Sequence, residues 1–228
     1  MTKEKSQARR EHLAKMRASQ KSKERRMALL MWGVGGLVIV LIVGAVGFYL
    51  VKESAATSLD SVSKAAYVGS QHTTKTVTYK ESPPIGGEHH PYWQNCGIYD
   101  KPVHPEHAVH SMEHGAVWIT YRPGLPAPQL ERLKTLASAD YMLLSPVEGL
   151  SSPIVASSWN HQLSFQNADD PKLPAYIKKY KQNASETPEF GAACTQGIDT
   201  TKDQAPLPQP SEAPHPDPTV TPTATPSS

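Results

Sequence analysis

The feature that most constrains this chain is an uninterrupted apolar segment near its N-terminus, Met27–Val51. Its 25 residues carry no charged side chain. At a rise of about 1.5 Å per residue, a helix of this length can cross a hydrocarbon core of about 30 Å. A cleaved signal peptide is the alternative, but the apolar core of such a peptide is shorter, about 7–15 residues. The sequence therefore predicts an uncleaved, single-pass transmembrane helix in a lipid bilayer.

The charges on either side of this segment predict its orientation. Residues 1–26 carry ten Lys or Arg against three Glu, whereas the rest of the chain has a net charge of −5. Because basic flanks stay on the cytoplasmic side, the N-terminus is expected in the cytoplasm and everything after Val51 outside it. The acidic outer part carries no basic patch of the kind that binds nucleic acid, so no nucleic-acid partner is expected.

Composition divides the outer part into a folded unit between two polar segments. Residues 52–80 are mostly small and polar and are predicted to be a linker, with one strand near Lys75–Tyr79. Residues 200–228 are rich in Pro, Thr and Ser and are predicted to be disordered. The folded extracytoplasmic domain is therefore expected over residues 81–199.

Hydrophobic periodicity predicts that this domain is a small α+β sandwich with a three- to four-stranded sheet. Pro105–His114 is predicted to be a helix, because Pro suits the first turn and Gly115 can end it. Two further helices are expected over Gln129–Ala139 and Pro174–Gln182. Three strands are expected over Ala116–Tyr121, Tyr141–Val147 and Pro153–Trp159. The last two strands are expected to form a hairpin, joined by a turn at Glu148–Gly149.

The chain has two cysteines, Cys96 and Cys194, both in the predicted outer domain. An oxidising compartment permits a disulfide between them. It would close a long loop and stabilise the fold by about 4–5 kcal/mol on the chain-entropy model. A free thiol, or Cys96 as a metal ligand, is the alternative that the sequence leaves open.

Histidines are concentrated just before and within the first predicted helix of the domain. Six of the ten lie in this region: His89, His90, His104, His107, His110 and His114. On the helix, His107, His110 and His114 share one face, because they are three and seven residues apart. Met112 lies on the opposite side and is expected in the core.

Histidines four residues apart on a helix can chelate one metal ion. The sequence predicts that His110 and His114 bind a copper or zinc ion, with His89 from the preceding loop as the third ligand. Glu113 or Glu106 would complete the shell or orient an imidazole. The alternative that these histidines form an ordinary polar helix face, hydrogen-bonded or hydrated, stays open.

The remaining histidines are expected to take no part in such a site. His12, His72 and His215 lie in segments predicted to be a tail or a linker. His161 follows a predicted strand and is expected to be a loop residue.

The histidine-rich segment resembles a bacterial protein family. It contains a Gly-Gly pair, His-x-Pro, Gly-x-Tyr, a Pro, a Glu and His-x-x-Glu-His-Gly: Gly86, Gly87, His89, Pro91, Gly97, Tyr99, Pro102, Glu106, His110, Glu113, His114 and Gly115. Together with the later strands as far as Thr187–Pro188–Glu189, this pattern resembles the domain of unknown function (DUF) 3105 family. The resemblance implies a membrane-anchored or exported protein of the bacterial cell membrane. It implies no activity, since the family has none established.

These observations favour a non-catalytic metal-binding protein over two alternatives. One is an interaction or assembly module of a membrane complex, which would need a membrane-protein partner and no metal. The other is a zinc-dependent hydrolase, because residues 110–114 spell His-x-x-Glu-His. The hydrolase pattern is weak here, since the predicted helix stops at Gly115 and no other helix supplies a third ligand.

Overall fold

The computed structural model describes residues 2–207, with side chains described from residue 13 onward. This part of the chain forms two compact units that divide between Ala56 and Thr57. The first unit is one continuous helix, α1, Thr2–Ala56. It contains the predicted apolar segment, is long and apolar enough to cross a membrane, and exposes its large apolar side chains.

The second unit has the predicted α+β fold, built around one sheet. Within residues 2–207 this sheet has six strands, not the three to four that were predicted. In chain order the elements are β1 Ser63–Lys64, β2 Gly97–Ile98, α2 Pro105–Glu113, β3 Val117–Tyr121, α3 Ala127–Ala137, β4 Met142–Pro146, β5 Ile154–Ser158, β6 His161–Phe165 and α4 Lys172–Tyr180. The three predicted helices and three predicted strands of this unit are all formed, with ends within two residues of those expected.

The strands that the sequence did not predict are short or polar. β1 and β2 have two residues each, and β6 reads His-Gln-Leu-Ser-Phe, which is a weak apolar alternation. The strand predicted near Lys75–Tyr79 is not formed. There the backbone N–H of Val77 donates to the Glu106 carboxylate at 3.0 Å, so a buried side chain takes the place of a neighbouring strand.

The order of strands in the sheet is β1-β6-β5-β3-β4-β2. β3 pairs with β4 in parallel and with β5 antiparallel, so the predicted hairpin of β4 and β5 is wrong. Helix α3 is the crossover connection between the end of β3 and the start of β4. It returns the chain to the end of the sheet at which β3 begins, so β4 runs in the same direction as β3 and pairs with it in parallel. The hairpin that does form joins β5 to β6 through Trp159 and Asn160, where Asn160 has φ 62°.

Two apolar layers cover the opposite faces of this sheet. Successive side chains of β3 point to opposite faces, as they do in any strand. Val117 and Ile119 therefore pack with α3 and α4, whereas Trp118 packs against Val109 and Met112 of α2. Met112 is fully buried, as predicted. The apolar side of helix α2 is thus fixed on this face of the sheet, together with loop side chains such as Val103 and Trp159.

Helix α2 ends at a glycine that the surroundings require. Gly115 has φ 96°, and its N–H donates to the carbonyl of Met112 at 3.0 Å. A Cβ at this position would collide with the side chain of Gln182. The helix is buried around almost its whole circumference, from Glu106 to Glu113. Its polar side is therefore covered by other parts of the chain and not solvated.

Segments on both sides of the predicted folded unit contact it. Val62 is buried in the core beside β6, and the Lys202 N–H donates to the Pro102 carbonyl at 2.9 Å. Residues 208–228, the rest of the tail predicted to be disordered, lie outside the described residues.

Cys96 and Cys194 form the predicted disulfide, with Cα atoms 5.3 Å apart. Cys96 is therefore not available as a metal ligand.

Candidate metal centre

Three segments of chain cover the polar side of α2. Residues 71–73 pair with His89 through two backbone hydrogen bonds of 2.9 and 2.7 Å. The loop that follows is tied to the helix by the Gln94 N–H, which donates to the His107 carbonyl at 3.1 Å. From the C-terminal side, the Glu189 N–H donates to the Glu113 carbonyl at 3.1 Å. Side chains from four separate stretches of sequence therefore meet over one helix face.

Within residues 13–207, two groups of side chains bring metal-ligating atoms together. The first, called here the Glu113 group, consists of His72, His89, His110 and Glu113; the second, the Glu189 group, consists of His110, His114 and Glu189. In each group the ligand atoms lie within 4.8 Å of one another. Ligand atoms around a tetrahedral zinc ion stand about 3.3 Å apart, because zinc–nitrogen bonds measure about 2.0 Å. Small side-chain movements would therefore close either group around an ion.

The centre of the Glu113 group is a close pair of buried atoms. Nε2 of His89 lies 2.8 Å from Oε2 of Glu113, and Nε2 of His72 lies 3.8 Å from the same oxygen. Despite this proximity, neither His89 Nε2 nor Glu113 Oε2 makes a hydrogen bond of normal geometry among the described residues. Leaving a buried polar atom unsatisfied costs about 1–3 kcal/mol. A proton shared by the two atoms, or a metal ion bound by both, would satisfy them.

Backbone carbonyls hold three of the imidazoles in one tautomer. Nδ1 of His89, His110 and His114 lies 2.6–2.7 Å from a carbonyl oxygen. These carbonyls belong to Gly87, His90 and Ala193 respectively. A carbonyl can only accept, so Nδ1 carries a hydrogen, and in the neutral form of each ring the lone pair is at Nε2. This is the arrangement in which a metal-ligating histidine is usually held.

The loop before the first ligand is shaped to hold the Glu113 carboxylate. The backbone N–H of Ser70 donates to Glu113 Oε1 at 2.5 Å. Ser70 has φ 61°, a conformation that non-glycine residues adopt uncommonly and that occurs at functional sites. A Cβ on the preceding residue, Gly69, would collide with Glu113 Oε1. Only glycine allows this close an approach.

Burial of two histidines and polar contacts at Glu113 favour the protonation states that a metal requires. Burial lowers the pKa of His110 to about 3, so this imidazole is neutral at physiological pH. Burial also lowers the pKa of His72. For Glu113, burial alone would raise the pKa, but the polar contacts with His89 and Ser70 outweigh it and lower the pKa. The group therefore offers neutral nitrogens at His72 and His110 and an ionised carboxylate at Glu113.

The Glu189 group lies beside the Glu113 group at the C-terminal end of α2, and the two groups share His110. Oε2 of Glu189 is 3.1 Å from Nε2 of His114 and 3.9 Å from Nε2 of His110. The Trp93 ring covers these histidines, with centroid distances of 4.8 Å to His114 and 5.8 Å to His110. The disulfide at Cys194 anchors the segment that carries Glu189.

The structure divides the predicted ligand set. His89, His110 and His114 were expected around one ion, but His89 lies in the Glu113 group, His114 lies in the Glu189 group, and His110 belongs to both. Glu113, one of the two predicted acidic ligands, is a member of the first group. Glu106 is buried on the same helix and its carboxylate accepts from Val77, so the structure places it in neither group.

Two residues of the site were not predicted as ligands. His72 was expected to take no part, but a β-bridge to His89 brings its ring within 4.8 Å of the His89 ring. No local pattern around His72 signals this pairing, because the partner is distant in sequence. Glu189 is the last residue of Thr187–Pro188–Glu189, the end of the segment that resembles the family. An acidic residue within that segment was the one signal in the sequence that could have identified it as a ligand.

The protein family described as "Protein of unknown function (DUF3105)" matches residues 70–196, which is more than half of the chain. The chain belongs to the DUF3105 family. Every member of both ligand groups lies inside the part that matches DUF3105. A second family, described as "Inhibitor of host cell division protein domain", matches residues 7–67, mostly helix α1, and this match includes no residue of either group. No curated protein and no solved structure matches the chain significantly.

Proposed function

We propose that this protein is a membrane-anchored, non-catalytic metal-binding protein that holds one zinc or copper ion in the Glu113 group, outside the cytoplasm. The observation that carries the proposal is the buried pair His89 Nε2 and Glu113 Oε2, 2.8 Å apart and without normal hydrogen bonds. His110 and His72 supply two further nitrogens beside this pair.

The ligand set favours a divalent ion. Three imidazoles and one carboxylate suit Zn(II) or Cu(II), whereas Cu(I) prefers sulfur. Both cysteines are joined in the disulfide, and Met112 is buried on the opposite side of the helix. The residues of the Glu113 group thus provide nitrogen and oxygen ligands only.

The surroundings of Glu113 disfavour the alternative of a zinc-dependent hydrolase. In that mechanism the glutamate of His-x-x-Glu-His acts as a general base and must reach a water molecule at the substrate. Here Glu113 is fully buried, Oε1 accepts from Ser70, and Oε2 faces His89. A ligand role uses these contacts, whereas a base would have to break them.

The proposed location follows from α1 and its charges. The apolar helix with a basic N-terminal flank supports a single-pass anchor with the domain outside, and a disulfide is expected in an oxidising compartment. A reporter enzyme that works only outside the cytoplasm, fused after Ser228, should be active. An active fusion with a cytoplasm-specific reporter would contradict the proposed orientation.

Direct titration tests the metal-binding proposal. The full-length protein in detergent micelles should bind one zinc or Cu(II) ion per chain more tightly than about 10 μM. The variants His89→Ala and His110→Ala should each weaken binding at least about tenfold, as expected for the loss of a ligand. His161→Ala is the matched control, because His161 is also buried with Nδ1 bonded to a carbonyl but belongs to neither group.

The titration also decides against the proposal if no ion binds. Should zinc, Cu(II) and Cu(I) all bind more weakly than about 10 μM, the site is not a dedicated metal centre. The interaction or assembly module, with a membrane-protein partner, then becomes the better account of this domain.

A further inference from the structure

His110 belongs to both ligand groups, and this constrains how an ion can occupy them. Its Nδ1 is bonded to the His90 carbonyl at 2.7 Å, which leaves one lone pair, at Nε2. One imidazole lone pair binds one ion at a time. The Glu113 and Glu189 groups therefore cannot both use His110 at once, and an ion in one of them excludes a full shell in the other.

The two groups differ in the number of their members and in the exposure of their carboxylates, although His72 of the Glu113 group is as exposed as Glu189. The Glu113 group has four members, and its carboxylate is completely buried. The Glu189 group has three members, and the Glu189 side chain is 35% exposed. The next residue, Phe190, is exposed at the surface. The Glu189 group is thus the less complete shell, and its carboxylate is within reach of another molecule.

We propose that the Glu189 group is an exchange position for the ion held in the Glu113 group. Through it the ion passes to, or arrives from, a second molecule that binds it with nitrogen or oxygen ligands. This inference rests on the proposed metal-binding function. In the transfer step, the bonds from the ion to His72, His89 and Glu113 break. Bonds to His114 and Glu189 form, and the bond to His110 Nε2 is kept throughout. No electron or proton changes place, and the ion never loses all of its protein ligands.

The surroundings of the Glu189 group are rigid enough for this role. His114 is oriented by the Ala193 carbonyl, and Ala193 is adjacent to the disulfide at Cys194. Gly197 packs so closely on Trp93 that a Cβ would collide with the indole ring. The covering segment therefore holds His114 in place and leaves Glu189 at its exposed end.

The rate of metal transfer tests the proposal. Full-length protein loaded with zinc in micelles is mixed with a chromophoric chelator, and transfer is followed by stopped-flow absorbance. Glu189→Gln should keep nearly the zinc affinity of the unmodified protein but slow zinc transfer at least about tenfold. This is the size of effect expected when a residue that contacts or supports the metal is lost. Glu186→Gln is the matched control, because Glu186 lies in the same segment at 3.8 Å from His161 and outside both groups. Its transfer rate should be unchanged.

A second variant tests the exchange position without kinetics. His89→Ala disables the Glu113 group and should leave weaker cobalt(II) binding at the Glu189 group, seen as a changed visible spectrum. Adding Glu189→Gln should abolish that residual signal. Thermal unfolding of both variants confirms that they are folded.

The outcomes separate the two proposals. If the unmodified protein binds no metal, both fail. If it binds zinc but Glu189→Gln transfers at the unmodified rate, the exchange position is wrong and the metal-binding function stands. Faster or slower transfer in His72→Ala, with no effect of Glu189→Gln, would place the route on the His72 side instead.

Discussion

His89 Nε2 faces Glu113 Oε2 across 2.8 Å, although His89 precedes helix α2 and Glu113 is its last residue. With Nδ1 of His89 bonded to the Gly87 carbonyl, a neutral ring turns its lone pair towards the carboxylate. Two lone pairs at this distance repel each other. The arrangement becomes favourable when a proton or a metal ion lies between them. In the proposed site a metal ion takes this place, and the pair supplies two of its four ligands.

Removing the charge of Glu113 should disable this shell. Glu113→Gln should weaken zinc binding about 10–100-fold or more, because an amide is a poorer ligand and cannot neutralise the ion. Chelator-competition titration measures the change. Glu106→Gln is the control, since Glu106 is also buried on α2 but accepts from Val77. Equal losses in the two variants would contradict the assignment of Glu113 and restore the ligand role first predicted for Glu106.

His72 should matter despite its position in a polar stretch of sequence. His72→Ala should lower zinc affinity about tenfold, because it removes one of four ligands while the buried members remain. His104→Ala serves as the control, because the Nε2 of that half-buried histidine bonds to the Ala205 carbonyl. If His72→Ala binds zinc as tightly as the unmodified protein, the site has three ligands and His72 is a bystander, as its sequence context predicts.

Loss of the disulfide should destabilise the domain strongly. Cys194→Ser opens a loop with a sequence separation of 98 residues. On the chain-entropy model, the free energy of unfolding should fall by about 4–5 kcal/mol. Urea unfolding followed by tryptophan fluorescence measures this. Cys96→Ser should give the same loss, and the unmodified protein should resist thiol labelling until it is reduced; free labelling of both thiols beforehand would contradict the disulfide.

Acid should destabilise the metal-free protein through its buried histidines. Burial lowers the pKa of His107 to about 4 and of His110 to about 3, whereas an unfolded histidine titrates near pH 6.5. Between about pH 6.5 and pH 4 the unfolded chain therefore binds more protons than the folded one. The free energy of unfolding should fall as the pH falls through this window, by up to about 1.4 kcal/mol per pH unit for each histidine.

Urea unfolding of the metal-free protein at pH 7.5, 6 and 5 measures this slope. His107→Gln should make the slope shallower, because this variant removes one of the two protonation differences. Parallel slopes for the variant and the unmodified protein would show that His107 titrates normally in the fold.

Local patterns predicted the parts of the fold that local forces decide. Pro105 and Gly115 mark the two ends of α2, and the apolar positions of Val109 and Met112 identify the side that packs on the sheet. The hairpin was misassigned because pairing of strands depends on a crossover through α3, and no single strand's sequence records its neighbours. β1 and β2 were missed because two residues carry no periodicity.

The candidate site shows the same division between local and distant contacts. Helix spacing placed His110 near both Glu113 and His114, because residues on one helix keep a fixed geometry, but it did not show that the last two belong to different groups. It could not show that His72 pairs with His89 or that Glu189 returns to the end of α2, since both contacts join separate segments. For the same reason the polar side of α2 is buried, although its sequence alone is compatible with a hydrated surface.

The residues of the two candidate groups are far apart in the sequence, so the groups form only when the domain folds. His72 and Glu189 lie near the two ends of the folded unit, and their groups meet only through His110 between them. A chain still being exported in an extended form therefore contains no assembled ligand group. In the proposed function and topology, metal capture would have to wait until the whole domain has crossed the membrane and folded. A chain that stalls part-way cannot sequester the ion on the wrong side.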